Sequence, residues 1–127
     1  MMYGYKKTVN RGYEEAVRKT KEELQKEGFG VLTEIDVRAT LKKKLGVDFD
    51  NYLILGACNP PFAHKALQAE RDIGLMLPCN VVVAEHEGRT SVSAILPSVA
   101  MSMIENEELK SIAVTVEEKL KKVIDSV

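Results

Sequence analysis

Two rhythms of apolar spacing run along this chain, and they alternate. Tyr3, Tyr5 and Val9 fall at alternate positions in residues 3–9, the period of a strand. Tyr13, Val17, Thr20 and Leu24 then recur at helical spacing. Glu14 and Glu15 suit the positive end of a helix, and Gly28 stands as the residue just past its end, so a helix is predicted over 13–27. From Gly30 the period returns to two: Val31, Thr33, Ile35 and Val37 alternate with Leu32, Glu34 and Asp36, the pattern of a half-buried strand. Val37, Leu41 and Leu45 are spaced by four and predict a short helix closing at Gly46.

The stretch Leu53 to Glu85 organises the rest. Leu53-Ile54-Leu55-Gly56-Ala57-Cys58 reads as a covered central strand, because both of its faces are largely apolar. Asn59-Pro60-Pro61 opens a helix, since Asn caps free N–H groups and Pro is tolerated in a first turn. Phe62, Ala66, Ala69 and Ile73 form that helix's stripe, Gly74 follows it, and Pro78-Cys79-Asn80 breaks the chain before Val81. Val81 to His86 and Arg89 to Leu96 flank Glu87-Gly88 as a hairpin. A two-residue turn puts Val82, Ala84, His86, Ser91, Ser93 and Ile95 on one face, mostly small and uncharged. Pro97-Ser98 ends the strand. Asn106 caps a last helix whose stripe is Leu109, Ile112, Val116, Leu120, Val123 and Val127. The order is β-α-β-(short α)-β-(α)-β-β-α, an α+β pattern rather than repeated βα units.

Composition narrows the class. At 127 residues, 45% hydrophobic and 29% charged, the chain is long enough for one domain, 1–127, with a core that needs no metal or disulfide. A formal net charge of −1 gives no general attraction to nucleic acid or anionic lipid. No apolar run approaches the roughly 20 residues of a membrane span. Met1 to Lys7 lacks the apolar stretch of a signal peptide, so the expectation is a cytoplasmic chain with its two cysteines reduced.

Three segments taken together resemble a known family. They are Glu27-Gly28-Phe29-Gly30-Val31-Leu32-Thr33-Glu34-Ile35-Asp36-Val37, then Leu55-Gly56-Ala57-Cys58-Asn59-Pro60, then Gly74-Leu75-Met76-Leu77-Pro78-Cys79-Asn80-Val81. In order and spacing they are similar to the uncharacterised prokaryotic family called domain of unknown function 302, from about Tyr5 to the last helix. The resemblance implies an α+β domain of the TBP-like type: an antiparallel sheet of about five strands with long helices packed on one face. It supplies no activity, so no catalytic residue or cofactor is assigned.

The chemistry-bearing residues cluster around Cys58 and Cys79. Parallel strands joined by a crossover helix would put the two thiols at opposite sheet ends, roughly 20 Å apart. Antiparallel strands, as the resemblance implies, would bring both to one end, near the start of the helix after Asn59. The candidate binding residues are therefore Cys58, Asn59, Pro60, His64, Pro78, Cys79 and Asn80. Such a cluster offers a thiol activated by a helix N-terminus, or a soft-metal site with His64. The competing reading is that buried cysteine behaves as a small hydrophobe, and no CxxC or further spaced ligand is present, so no metal is assigned.

His64 off its helix's stripe and His86 beside the turn read as solvated, as do Lys42-Lys43-Lys44 and the carboxylate pairs Glu14-Glu15, Glu107-Glu108 and Glu117-Glu118. Met76, Met101 and Met103 read as core fillers. Phosphate-loop, dinucleotide, nucleophile-elbow and zinc-protease signatures are absent. The expectation is a non-enzymatic ligand- or partner-binding homo-oligomer, a dimer, with a thiol- or metal-dependent protein using Cys58, Cys79 and His64 as the alternative.

Overall fold

A computed structural model describes all residues, 1–127. Five strands make one sheet in the order β1-β5-β4-β3-β2, with every neighbouring pair antiparallel. They are β1 (Gly4–Val9), β2 (Gly30–Asp36), β3 (Tyr52–Cys58), β4 (Cys79–His86) and β5 (Arg89–Ile95). The helices are α1 (Tyr13–Lys26), α2 (Val37–Leu45), α3 (Pro60–Ala69), α4 (Pro97–Ala100) and α5 (Glu107–Ser126). The α+β, antiparallel expectation holds.

Local sequence explains the long helices. Helix α1 ends in a Schellman arrangement: Phe29 N–H donates to Leu24 C=O at 2.9 Å and Gly28 N–H to Gln25 C=O at 3.0 Å. Gly28 sits at φ +84°, a conformation few side chains tolerate, and Phe29 beyond it is 3% exposed. Helix α5 begins as its sequence predicts, with Asn106 Oδ1 accepting from Leu109 N–H at 3.0 Å.

Both long helices press one stripe onto the same sheet face. Leu24 from α1 and Val116, Leu120, Val123 and Ile124 from α5 join Leu55, Val81, Val83 and Val92 of the sheet in one buried cluster. Val17 and Ile112 pack at its margin. Ala16 and Ala113 are also buried, small residues that let the helices lie close to their neighbours. The hairpin has the expected register: His86 pairs Arg89, and Glu87 (φ 50°) and Gly88 (φ 77°) supply the two positive φ angles of a tight turn. Val82, Ala84, Ser91, Ser93 and Ile95 alternate with the core-facing set and look away from the helices.

Several local expectations are corrected. Strand β2 is an exposed edge, not half-buried. A bulge between Val31 and Thr33 shifts its phase, so Leu32 and Ile35 are 67% and 49% exposed. The helix after Asn59 stops at Ala69, and Arg71–Met76 continues as a 3-10 turn. Strand β4 begins two residues early, at Cys79. A short helix at Pro97–Ala100 follows β5 where only a strand end was expected. Met101 is buried as a filler, but Met103 is 77% exposed.

Leu120 lies 1% exposed between α5 and the sheet. Leu120→Ala is expected to cost about 2–5 kcal/mol through the cavity it leaves, measured by denaturant unfolding. A change below 1 kcal/mol would contradict this packing.

Candidate functional site

Strands β3 and β4 pair antiparallel, so the connection between them leaves and re-enters at one end of the sheet. Ala57 is the register partner of Cys79, and Cys58 is that of Gly30 on the other side. Both thiols therefore lie at the same sheet end, beside the start of α3, and both are free.

The segment from Asn59 to Pro78 folds back over this end and encloses an apolar cavity of about 300 Å³. Ala57 and Cys79 lie on the sheet side, with Phe29, Leu32 and Cys58. Phe62, Ala63, Ala66 and Leu67 form the α3 wall, and Leu109, Ile112, Ala113 and Val116 the α5 wall. Leu77, Pro78, Pro97, Met101 and Asn59 complete it. No charged side chain is among them. Leu32 and Leu67, 67% and 40% exposed, mark the rim on the solvent side. The cavity lies between two buried clusters, the sheet core and a smaller group of Ala66, Ile73, Met101, Leu109 and Ala113. Helix α3 gives Ala66 to the second group and Phe62 to the margin of the first, and small Ala57, Ala66 and Ala113 line the gap where the clusters face each other.

Two asparagines hold the α3 segment at its ends. Asn59 does not cap α3, contrary to its sequence position. Its Nδ2 instead donates to the Glu27 carbonyl at 3.1 Å, and the side chain is 8% exposed. This ties the β3–α3 junction to the end of α1. Gly28 makes the contact possible, because a Cβ there would sit 3.2 Å from Asn59 Nδ2. At the other end, Asn106 Nδ2 donates to Ala69 C=O at 2.8 Å. Gly56 is constrained too: a Cβ would overlap Thr33 Oγ1 and lie 2.8 Å from Pro78 Cγ. The Leu77–Pro78 peptide is cis.

The predicted site residues divide. Cys58, Asn59, Pro78 and Cys79 line the cavity. Pro60 and His64 are exposed and outside its lining. Asn80 is exposed on the helix-free face opposite Gly56. Phe29, Phe62 and the α5 residues escaped notice as site candidates because nothing in a helical stripe tells a cavity wall from a filled core.

The two thiols differ. Burial, and then the neighbouring Cys58, push Cys79 up to about 11, so it is a neutral thiol near pH 7. Cys58 is only half-buried. Elsewhere, His86 Nδ1 lies 2.6 Å from Asp50 Oδ2, and this hydrogen bond, with Glu87 nearby, raises its pKa above the ordinary histidine value. That pair stands at the hairpin end, away from the cavity.

The chain is thus an α+β domain with one sheet face under helices, the other bare, and an apolar cavity between α3, α5 and the sheet end. The sequence matches the family described as "Domain of unknown function DUF302" over residues 5–127, and the chain belongs to that family. The crystal structure of the uncharacterized conserved protein DUF302 from Bacillus stearothermophilus is similar, with TM-score 0.93 and 34% sequence identity. The match covers 99% of this chain and 98% of that one. No curated protein matches the sequence.

Iodoacetamide is expected to label Cys58 well before Cys79 at pH 7, read by mass spectrometry. Labelling of Cys79 rises as pH climbs towards about 11, because only its thiolate reacts and folding holds the proton on. Equal rates at neutral pH would contradict this difference in burial.

Proposed function

We propose that the chain is a cytoplasmic binding domain that takes an apolar small molecule in the cavity beneath α3 and works as a homodimer. The carrying observation is the cavity itself: about 300 Å³, partly open, and lined without a charged group. That volume reaches the lower end of ordinary ligand sites, and such sites are mostly apolar with a few polar groups for orientation. Asn59, the one carboxamide in the lining, is the polar group for that purpose, with one Nδ2 hydrogen held by the Glu27 carbonyl. Of the other candidate residues, Cys58, Pro78 and Cys79 shape the wall, while Pro60 and His64 border the helix start.

The thiol- or metal-dependent alternative has less support. Cys79 holds its proton, His64 lies outside the lining, and no three His, Cys, Asp or Glu side chains are grouped to hold an ion. No helix is long and apolar enough to cross a membrane.

A neutral fluorescent apolar probe of suitable size, 1-naphthylamine, is expected to bind once per chain and to raise the thermal midpoint as its concentration rises. Ala63→Phe places a ring in the cavity and abolishes that binding, with circular dichroism confirming the fold. Binding unchanged in Ala63→Phe, or absent from the wild type, refutes the reading.

Support for the dimer comes from the bare sheet face. Ile35, Ile54, Val82, Ala84 and Ile95 lie there among Ser91, Ser93 and Tyr52, with Lys6 on the edge strand and His86 and Arg89 at the hairpin end as its basic residues. Phe49, 45% exposed, extends it through an edge-to-face contact with Tyr52 at 6.1 Å. The uncharged middle of this face suits a second copy of itself, because a two-fold interface sets each residue near its own kind. Sedimentation is expected to show a dimer at micromolar concentration, converted to monomer by Val82→Glu. A monomeric wild type removes this part of the proposal.

A further inference from the structure

The cavity has an electrostatic neighbour that its lining does not show. Phe62, on the α3 wall, carries two ammonium groups close to its ring: Lys65 Nζ at 5.6 Å from the centroid and Lys119 Nζ at 5.9 Å. The first comes from α3 itself and the second from α5, so two elements converge on one aromatic side chain. Other lysines nearby are partnered, Lys121 with Glu117 at 3.7 Å and Lys122 with Glu27 at 3.5 Å. No carboxylate lies within 4.0 Å of Lys65 or Lys119. Like charges gathered without a counterion repel each other. The aromatic ring offsets only part of that cost.

We propose that the occupant is an anionic amphiphile, whose apolar tail fills the cavity and whose carboxylate-type head sits at Lys65 and Lys119. This rests on the apolar-ligand reading above and names its ligand class. The orientation follows from the lining. A carboxylate drawn inside would meet no cation, because the lining holds no charged side chain, so the head stays out. A purely apolar molecule would fill the space but leave the two ammonium groups unpaired. Phe62 joins the halves of the site, with its ring contributing to the wall and cations lying over it. The size limits the tail. An engineered cavity of about 150 Å³ holds one benzene, so twice that volume takes about ten to twelve carbons.

Isothermal titration of the full chain with decanoate, 1-decanol and decyltrimethylammonium, each below its micelle concentration, tests this. At low salt, decanoate is expected to bind about tenfold tighter than decanol, and decyltrimethylammonium weakest; the margin narrows as salt screens the head. In the double variant Lys65→Gln, Lys119→Gln the margin of decanoate over decanol falls below about threefold, with decanol still bound. Lys65→Arg with Lys119→Arg retains the preference. Lys65 is exposed and Lys119 half-buried, and unchanged thermal midpoints confirm intact folds. Equal affinity for decanoate and decanol overturns the headgroup assignment and leaves the apolar cavity reading standing. A decanoate preference that survives the double Gln variant also overturns it, by placing the anion elsewhere. Failure of all three to bind overturns both readings.

Discussion

The antiparallel pairing of β3 with β4 is the constraint on which the rest depends. Because Ala57 faces Cys79 across that ladder, the chain leaving β3 must turn and come back to the same sheet end. A parallel pairing would have carried α3 along the sheet as a crossover. Here α3 instead folds over the sheet end, meets α5, and returns through a 3-10 turn. Both cysteines, the Pro78 turn and the helix start are brought together by this one choice.

What α3 covers is determined by where its ends are fastened. Asn59 reaches the Glu27 carbonyl and Asn106 the Ala69 carbonyl, bonds made by side chains with backbone groups of distant elements. Between those two points α3 sets Ala63 and Ala66 beside Phe62 and Leu67 on its inner wall, and Ala57 and Ala113 lie in the same lining. Alanines cannot bridge the space, and pinned helix ends keep the wall from settling onto the sheet. The outcome is a cavity that neither apolar cluster fills.

The two cysteines show how position alters chemistry within one cavity. Cys79 is on β4 among covered residues, and removing it from water holds its proton on. Cys58, at the end of β3, remains half-exposed beside glycine rather than a bulky neighbour. As wall residues they present soft, polarisable sulfur to the cavity. Their nearness to a helix start, which made them suggestive in the sequence, does not lower the Cys79 pKa, because burial outweighs it.

Much of the fold is legible in the chain because its signals are local. Helical spacing in α1 and α5, glycine after Lys26-Glu27, asparagine before Glu107 and the Glu87-Gly88 turn each act within a few residues, so they determine element type and the hairpin register. The β2 bulge was not legible, since the alternation from Val31 to Val37 looks unbroken and only pairing with β3 reveals the slip. Asn59 reads as a cap by position. Its actual partner lies 32 residues away, and nothing local points there. The candidate site was half visible: cysteines and prolines marked its strand side, but Phe29, Phe62 and the α5 wall look like ordinary core positions. The sequence by itself determined the strands, the long helices with their apolar stripes, and the family. Only the tertiary structure decided that those faces leave a space between α3, α5 and the sheet, because packing between distant segments depends on where side chains fasten them.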